Sequence, residues 1–291
     1  MMMSTIRLFL PPILGVIKRR LFSRNKETDL IPLPQRKHLT ERMVVLGNGP
    51  SLQTTIELYS TELRSYECMA VNYFAISELY DLIRPAVYVL MDPIFFTFPS
   101  SVEKTVLSLY DNLVNKTTWS LTLVMPVQAK DSFVVSKLSE NSRISVEFVG
   151  GCYEVPNGFS KYEAWDHNVL FPPSQTVLNT CVYLSIYWGY PETFLVGADT
   201  SFLADLRVDQ ETNELYTIDT HFYKKDLYKD PIYDKNNRRV IGTTLHEELQ
   251  SIATALSAYW DLKFYADWKG VKVYNASEYS WIDAFERKKL R

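Results

Sequence analysis

The chain has 291 residues, 46% of them hydrophobic and 22% charged, with a formal net charge of −3. That length supports one large buried core or two small ones, and the composition excludes collagen, coiled coil and a mostly disordered chain. With no basic excess to neutralise phosphates along a duplex, it also argues against nucleic acid as a partner.

The first 25 residues carry Arg7, Lys18, Arg19, Arg20 and Arg24 and no acid, which leaves −8 on the rest of the chain. The apolar run from Leu8 to Ile17 is ten residues long and contains Pro11-Pro12, too short and too broken to span a bilayer. No small-residue cleavage site follows the basic cluster, so the segment does not read as a signal peptide. Two readings remain. One is a peripheral anchor whose apolar side chains enter a lipid interface while Lys and Arg meet anionic headgroups; the other is an arm packed on the domain or on a partner. The polar, Pro-containing stretch Asn25–Glu41 reads as a linker. We divide the chain into a basic amphipathic arm, residues 1–38, and one domain, 39–291, with a lid expected over about 200–240.

From residue 40 onward short apolar runs alternate with helical patterns. Strands are predicted at Met43–Leu46, Glu67–Val71, Ala86–Met91, Leu121–Met125, Ile144–Phe148, Thr193–Val196 and Val271–Tyr274. Runs that are apolar on both faces belong to buried, largely parallel strands. Two helices are legible between them. Val177, Leu178, Cys181, Leu184 and Trp188 recur at three- and four-residue spacing before Gly189. Thr244-Leu245-His246-Glu247 has the form of a capping box ahead of Leu249, Ile252, Leu256 and Tyr259. The expected fold is α/β: a Rossmann-like, mostly parallel sheet with helices on both faces. In such sheets ligands bind beyond the carboxyl ends of the strands, so the informative residues should follow strands.

The first strand runs into Gly47-Asn48-Gly49-Pro50-Ser51-Leu52. Its glycines allow a tight turn and close approach to a ligand, while the Asn amide and Ser hydroxyl offer directional hydrogen bonds. It is neither a Walker loop, lacking Lys-Ser/Thr, nor a dinucleotide fingerprint, lacking the third glycine. Asn72 ends the second strand and Asp92, before Pro93, the third. Together with Asn48 they would gather on one rim of the sheet, although Asn and Asp are also common strand terminators and caps. The strand at 193–196 ends in Gly197-Ala198-Asp199, again a Gly-x-Asp.

The polar stretch Ser201–Arg239 is long for a connection and suggests an active-site lid. It holds Thr220-His221-Phe222-Tyr223, whose imidazole suits a general base. His38, His167 and His246 have weaker claims to chemistry. Cys68, Cys152 and Cys181 lack CxxC or zinc spacing and read as buried small hydrophobes in a reducing compartment, with no structural metal.

The Gly47–Leu52 element, Asn72, Asp92-Pro93, and Gly189-Tyr190 leading to Gly197-Ala198-Asp199 together resemble the bacterial sialyltransferases of the Campylobacter type. They also resemble the wider superfamily of hydroxymethylpterin diphosphokinase-like proteins and flagellin nonulosonic-acid transferases. The resemblance implies a single Rossmann-like domain with a lid and CMP-sialic acid as donor. It would place Gly47, Asn48, Gly49, Pro50, Ser51 and Asn72 at the CMP moiety, with Asp92 replacing an Asn there and Asp199 near the cytidine. His221 resembles the family's lid base, and Tyr216 a lid Tyr that helps the departing phosphate. The family's Thr-Ser-Gly stands here as Thr176-Val177-Leu178, and a Tyr after its Gly-x-Asp is Ser201. Another CMP-linked nonulosonic or ulosonic acid therefore fits as well.

These readings point to a glycosyltransferase at the cytoplasmic face of a bacterial membrane. It would transfer a CMP-linked sugar to a glycan or glycolipid acceptor, as a monomer or homo-oligomer, with no metal or cofactor required. Two alternatives stay open: an ATP- and magnesium-dependent diphosphokinase with Asp92 and Asp199 as metal ligands, and a non-catalytic nucleotide-sugar-binding subunit of a membrane assembly.

Overall fold

The computed structural model describes residues 33–97, 103–150, 155, 158–218, 238–242 and 244–290. Residues 1–32 of the arm, Cys152 and the lid segment 219–237 with His221 lie outside them. Among the described residues no helix is long and apolar enough to cross a membrane.

Eight parallel strands form the central sheet: β1 (Arg42–Leu46), β2 (Glu67–Val71), β3 (Val87–Val89), β4 (Leu121–Pro126), β5 (Ile144–Val149), β6 (Glu192–Val196), β10 (Lys272–Asn275) and β11 (Glu286–Arg287). Their spatial order is β11-β10-β6-β1-β2-β3-β4-β5. Each of the seven predicted strands is present. The one expected over Ala86–Met91 pairs only over Val87–Val89, with the Leu90 N–H still donating to Val124 O at 3.0 Å before the chain turns at Asp92-Pro93. The two-residue β11 carried no readable pattern.

Strand alternation divides the core in two. Met43 and Val45 of β1 join one buried cluster, and Val44 and Leu46 the other. On the first face pack α7 (Val177–Trp188) and α9 (Leu245–Lys269), which contribute Cys181, Tyr183, Leu184, Tyr259, Leu262 and Tyr265. On the second pack α1 (Ser51–Ser65) and α4 (Glu103–Lys116), with Leu52, Ile56, Leu109 and Leu113. Both faces are thus covered, as apolar parallel strands require. Helix α7 begins with a capping box between Thr176 and Asn179 and stops at Gly189 in the left-handed region (φ 81°). Helix α9 begins with the predicted box between Thr244 and Glu247. The smaller helices α2 (Leu79–Ile83), α3 (Ile94–Thr97), α5 (Phe133–Leu138) and α6 (Lys161–Asp166) complete the crossovers.

Two segments differ from expectation. The stretch taken as a linker is, from Leu33 onward, bound to the amino-terminal edge of the sheet. Tyr187 donates its hydroxyl to Leu33 O (2.9 Å), and Arg36 reaches Glu67 (2.9 Å), Thr122 (2.7 Å) and Tyr190 (3.2 Å). The physical cause is Glu67, whose side chain is only 4% exposed at the start of β2 and needs a cation. Its burial would raise the carboxyl, but hydrogen bonds from Arg36, the Leu39 N–H and Tyr190 outweigh that and hold it below the usual carboxylate range. The polar stretch expected to be a lid contains α8 (Phe202–Asp205) and an antiparallel sheet of β7 (Leu206–Val208), β8 (Leu215–Ile218) and β9 (Arg238–Val240). Leu206 and Leu215 pack on Ile252 of α9, three separated apolar residues too sparse to show a period.

Candidate functional site

The chain fills β1 to β5 in one direction and then returns to place β6 on the other side of β1. This reversal is a topological switch point, where loops diverge from adjacent strand ends and leave a crevice. The Gly47 N–H donates to Val196 O (2.8 Å) and the Gly49 N–H to Gly197 O (2.9 Å), so the two loops touch backbone to backbone. A Cβ at Gly47 would lie 2.3 Å from Gly197 O. The glycines therefore serve a crossing of two chain segments. Asp199 leaves β6 and turns back to α1, where one carboxylate oxygen accepts the Ser51 N–H (3.1 Å) and the other the Ser51 hydroxyl. Only 5% exposed, this carboxylate lies at the amino end of a 15-residue helix, where the helix dipole favours negative charge.

Asn48, 7% exposed, donates its amide to Val71 O (3.1 Å), which fixes its orientation and directs Oδ1 elsewhere. Among the described residues that Oδ1 is buried with no hydrogen-bond partner, and so is Oδ1 of Asn72, whose backbone is left-handed (φ 51°). Buried polar atoms without partners are rare, and here two stand on one rim. Asp92 is exposed and its Oδ1 accepts the Ile94 N–H (3.0 Å), so it caps α3. All three line one cleft of about 520 Å³ at the carboxyl edge of the sheet, together with Gly49, Pro50 and Asp199. Asn48, Asn72 and Asp92 thus share one rim as expected from the sequence, whereas Gly47 and Ser51 are not among the cleft's lining residues.

The rest of the lining comes from Ser174, Gln175 and Thr176 at the start of α7, Thr200 to Phe202, Asp205, and Thr217 of the small antiparallel sheet. Thr176 Oγ1 lies 3.4 Å from the Tyr259 hydroxyl, which burial pushes up to about 12 against the opposing influence of Thr176 and Thr200. Strand alternation places Thr217 in the cleft lining and Tyr216, the predicted lid Tyr, on the other face of β8. The predicted base His221 lies outside the described residues. His38 bonds Trp188 O (2.8 Å) and His167 bonds Glu163 O (2.8 Å), each within a packed structural segment.

Among the described lining residues there is no Lys or Arg, while Asp92, Asp199 and Asp205 are acids. A bound anion would therefore be met by helix amino ends and amide donors. Among the described residues no group of three or more His, Cys, Asp or Glu could hold a metal ion, and the Asp199 carboxylate is already engaged by Ser51.

Sequence reasoning missed the brace beneath this rim. The Ala198 N–H donates to Ser277 Oγ (3.0 Å), Ser280 Oγ to Ala198 O (2.6 Å) and the Trp281 N–H to Asp199 O (2.8 Å). These partners lie about eighty residues downstream and had no local signal.

No protein-family model matches the chain, and no curated protein matches it significantly. Among solved structures, the MAf glycosyltransferase from Magnetospirillum magneticum AMB-1 is similar with a TM-score of 0.51 at 14% identity. The match covers 89% of this chain and 35% of that protein, so the chain spans about a third of that protein's length. At this identity the likeness is one of fold.

Proposed function

We propose that the chain is a glycosyltransferase that binds a nucleotide-activated sugar in the β1/β6 cleft, with a CMP-linked nonulosonic or ulosonic acid as the donor. The observation that carries this reading is the pair of buried acceptors on Asn48 and Asn72, without partners among the described residues, at the switch point of the sheet. An exocyclic amino group or hydroxyls of a nucleoside would satisfy them. The cleft's charge supports a single phosphate: with acids and no cation among its described lining residues, it suits a monophosphate ester better than a diphosphate. The fold shared with a solved glycosyltransferase agrees with the assignment.

In this reading His221 removes the proton from the acceptor hydroxyl. That oxygen bonds to the anomeric carbon as the bond to the CMP phosphate breaks, so catalysis rests on positioning and electrostatics. Tyr216 would reach the departing phosphate only after a movement of β8. Residues 1–25, with five bases and no acid, would bring the enzyme to an anionic membrane surface and its acceptor.

The test is a titration with CMP, CDP, UDP, GDP and ATP, with and without magnesium, read as the rise in melting temperature on binding. A metal-independent response to CMP is expected. A response confined to ATP with magnesium would replace this reading with phosphoryl transfer. His221→Ala should abolish transfer and keep CMP binding, and turnover retained in that variant would remove the assigned base.

A further inference from the structure

Thr200, directly after the Gly-x-Asp of β6, has a left-handed backbone with φ of 50°. For a β-branched residue this conformation is strained, since the branched Cβ crowds its own backbone. Such strain persists only where the surroundings over-determine it. Here they do so from both sides. The preceding residues are clamped by Ser277, Ser280 and Trp281, and the following turn is closed by the Ala204 N–H donating to Ser201 O (2.8 Å). The side chain held this way lines the cleft and is 6% exposed; its Oγ1 interacts with the Tyr259 hydroxyl, but among the described residues no group meets it at hydrogen-bond geometry. A buried hydroxyl with no well-formed hydrogen bond and a strained backbone at one residue are two costs with no return among the described residues.

We propose that Thr200 is a specificity-determining residue of this cleft, its hydroxyl held in place to hydrogen-bond a ribose hydroxyl of the bound nucleotide. The inference rests on the nucleotide-binding reading above and adds the group recognised. Asn48 and Asn72 present carbonyl oxygens, which only accept, and so call for N–H or O–H donors. Thr200 presents a hydroxyl beside those of Thr176 and Tyr259, and a group that both donates and accepts is best matched by another hydroxyl. Its place on the rim agrees: β6 lies next to β1, so Thr200 stands one strand from Asn48 and three from Asp92, about 14 Å along the edge from the latter. A nucleoside spanning Asn48 and Asn72 would bring its sugar within reach of the β6 end.

The experiment measures the affinities of CMP, 2′-deoxy-CMP and 3′-deoxy-CMP for the parent, Thr200→Val, Thr200→Ser and Thr200→Gly, alongside each ligand-free melting temperature. Thr200→Val keeps the shape and the strain and removes the hydroxyl. It should weaken CMP about 3–10-fold, the worth of one hydrogen bond, and leave one of the two deoxy analogues bound as in the parent, because variant and analogue remove the same contact. Thr200→Ser should bind CMP as the parent does. Thr200→Gly should melt higher than the parent without ligand yet bind CMP as weakly as Thr200→Val. Equal loss for all three nucleotides, or none, overturns the role of Thr200 while leaving the cleft's nucleotide reading standing. A lower ligand-free melting temperature for Thr200→Gly overturns the strain argument. A parent that binds no nucleotide overturns the site reading and this inference with it.

Discussion

Gly47→Ala tests whether the crossing of the β1 and β6 loops holds the site together. The new Cβ would lie 2.3 Å from Gly197 O, 2.7 Å from Gly197 C and 3.0 Å from Ala198 Cα. All three are backbone atoms, so no side chain can swing aside, and the loops must part by about 1 Å to reach ordinary contact. Parting them stretches the bonds from Gly47 N–H to Val196 O and from Gly49 N–H to Gly197 O. Overpacking costs about 1–3 kcal/mol, and each weakened hydrogen bond about 0.5–1.5 kcal/mol. A loss of about 3 kcal/mol follows, which for a chain of this size lowers the melting temperature by about 6–12 °C. Gly189→Ala is the control: its φ of 81° strains any L-residue, but a Cβ there meets nothing within 4 Å. It should cost only about 1–2 kcal/mol. Thermal unfolding of both variants followed by circular dichroism decides the matter. If Gly47→Ala melts within about 2 °C of the parent, or above Gly189→Ala, the tight crossing is refuted.

The remaining predictions concern the rim and the opposite edge. Asn72→Ala removes a buried acceptor that no described residue satisfies, so it should cost only about 1 kcal/mol for placing Ala in a left-handed backbone, a fall of about 2–4 °C in melting temperature, and weaken CMP by about tenfold in calorimetry. A large stability loss with unchanged CMP affinity would mean that this oxygen serves the fold and not a ligand. Glu67, held below its ordinary value of 4.5, stabilises the fold fully above that pH, and its contribution is lost as the pH falls through the lower folded-state value. Glu67→Gln should cost about 3 kcal/mol at pH 7 by stranding Arg36, and should flatten the acid limb of the urea-unfolding profile. An acid limb as steep in the variant as in the parent would show that other carboxylates set it.

Much of the site was legible because a parallel sheet collects all its strand ends on one edge. Once the apolar runs at 42–46, 67–71 and 87–89 are strands of one parallel sheet, Asn48, Asn72 and Asp92 must share a rim, whatever the intervening helices do. The boxes at Thr176 and Thr244 were equally local, each a matter of four residues. The small antiparallel sheet was not legible, since its strands of three and four residues are too short to show alternation and bury only scattered side chains. Nor was the hold of Arg36 on Glu67, where one polar side chain answers another 31 residues away with no period to announce it. The pair Ser51 and Asp199, 148 residues apart, shows what the missing information was. Each residue alone reads as an ordinary helix start or strand end. Their meeting depends on β6 lying beside β1, and the order of parallel strands is written in no single segment of sequence. Given that one adjacency, the glycine at 47, the carboxylate at the amino end of α1 and the strained Thr200 follow together, because two loops leaving neighbouring strands in the same direction must either separate or be built to touch.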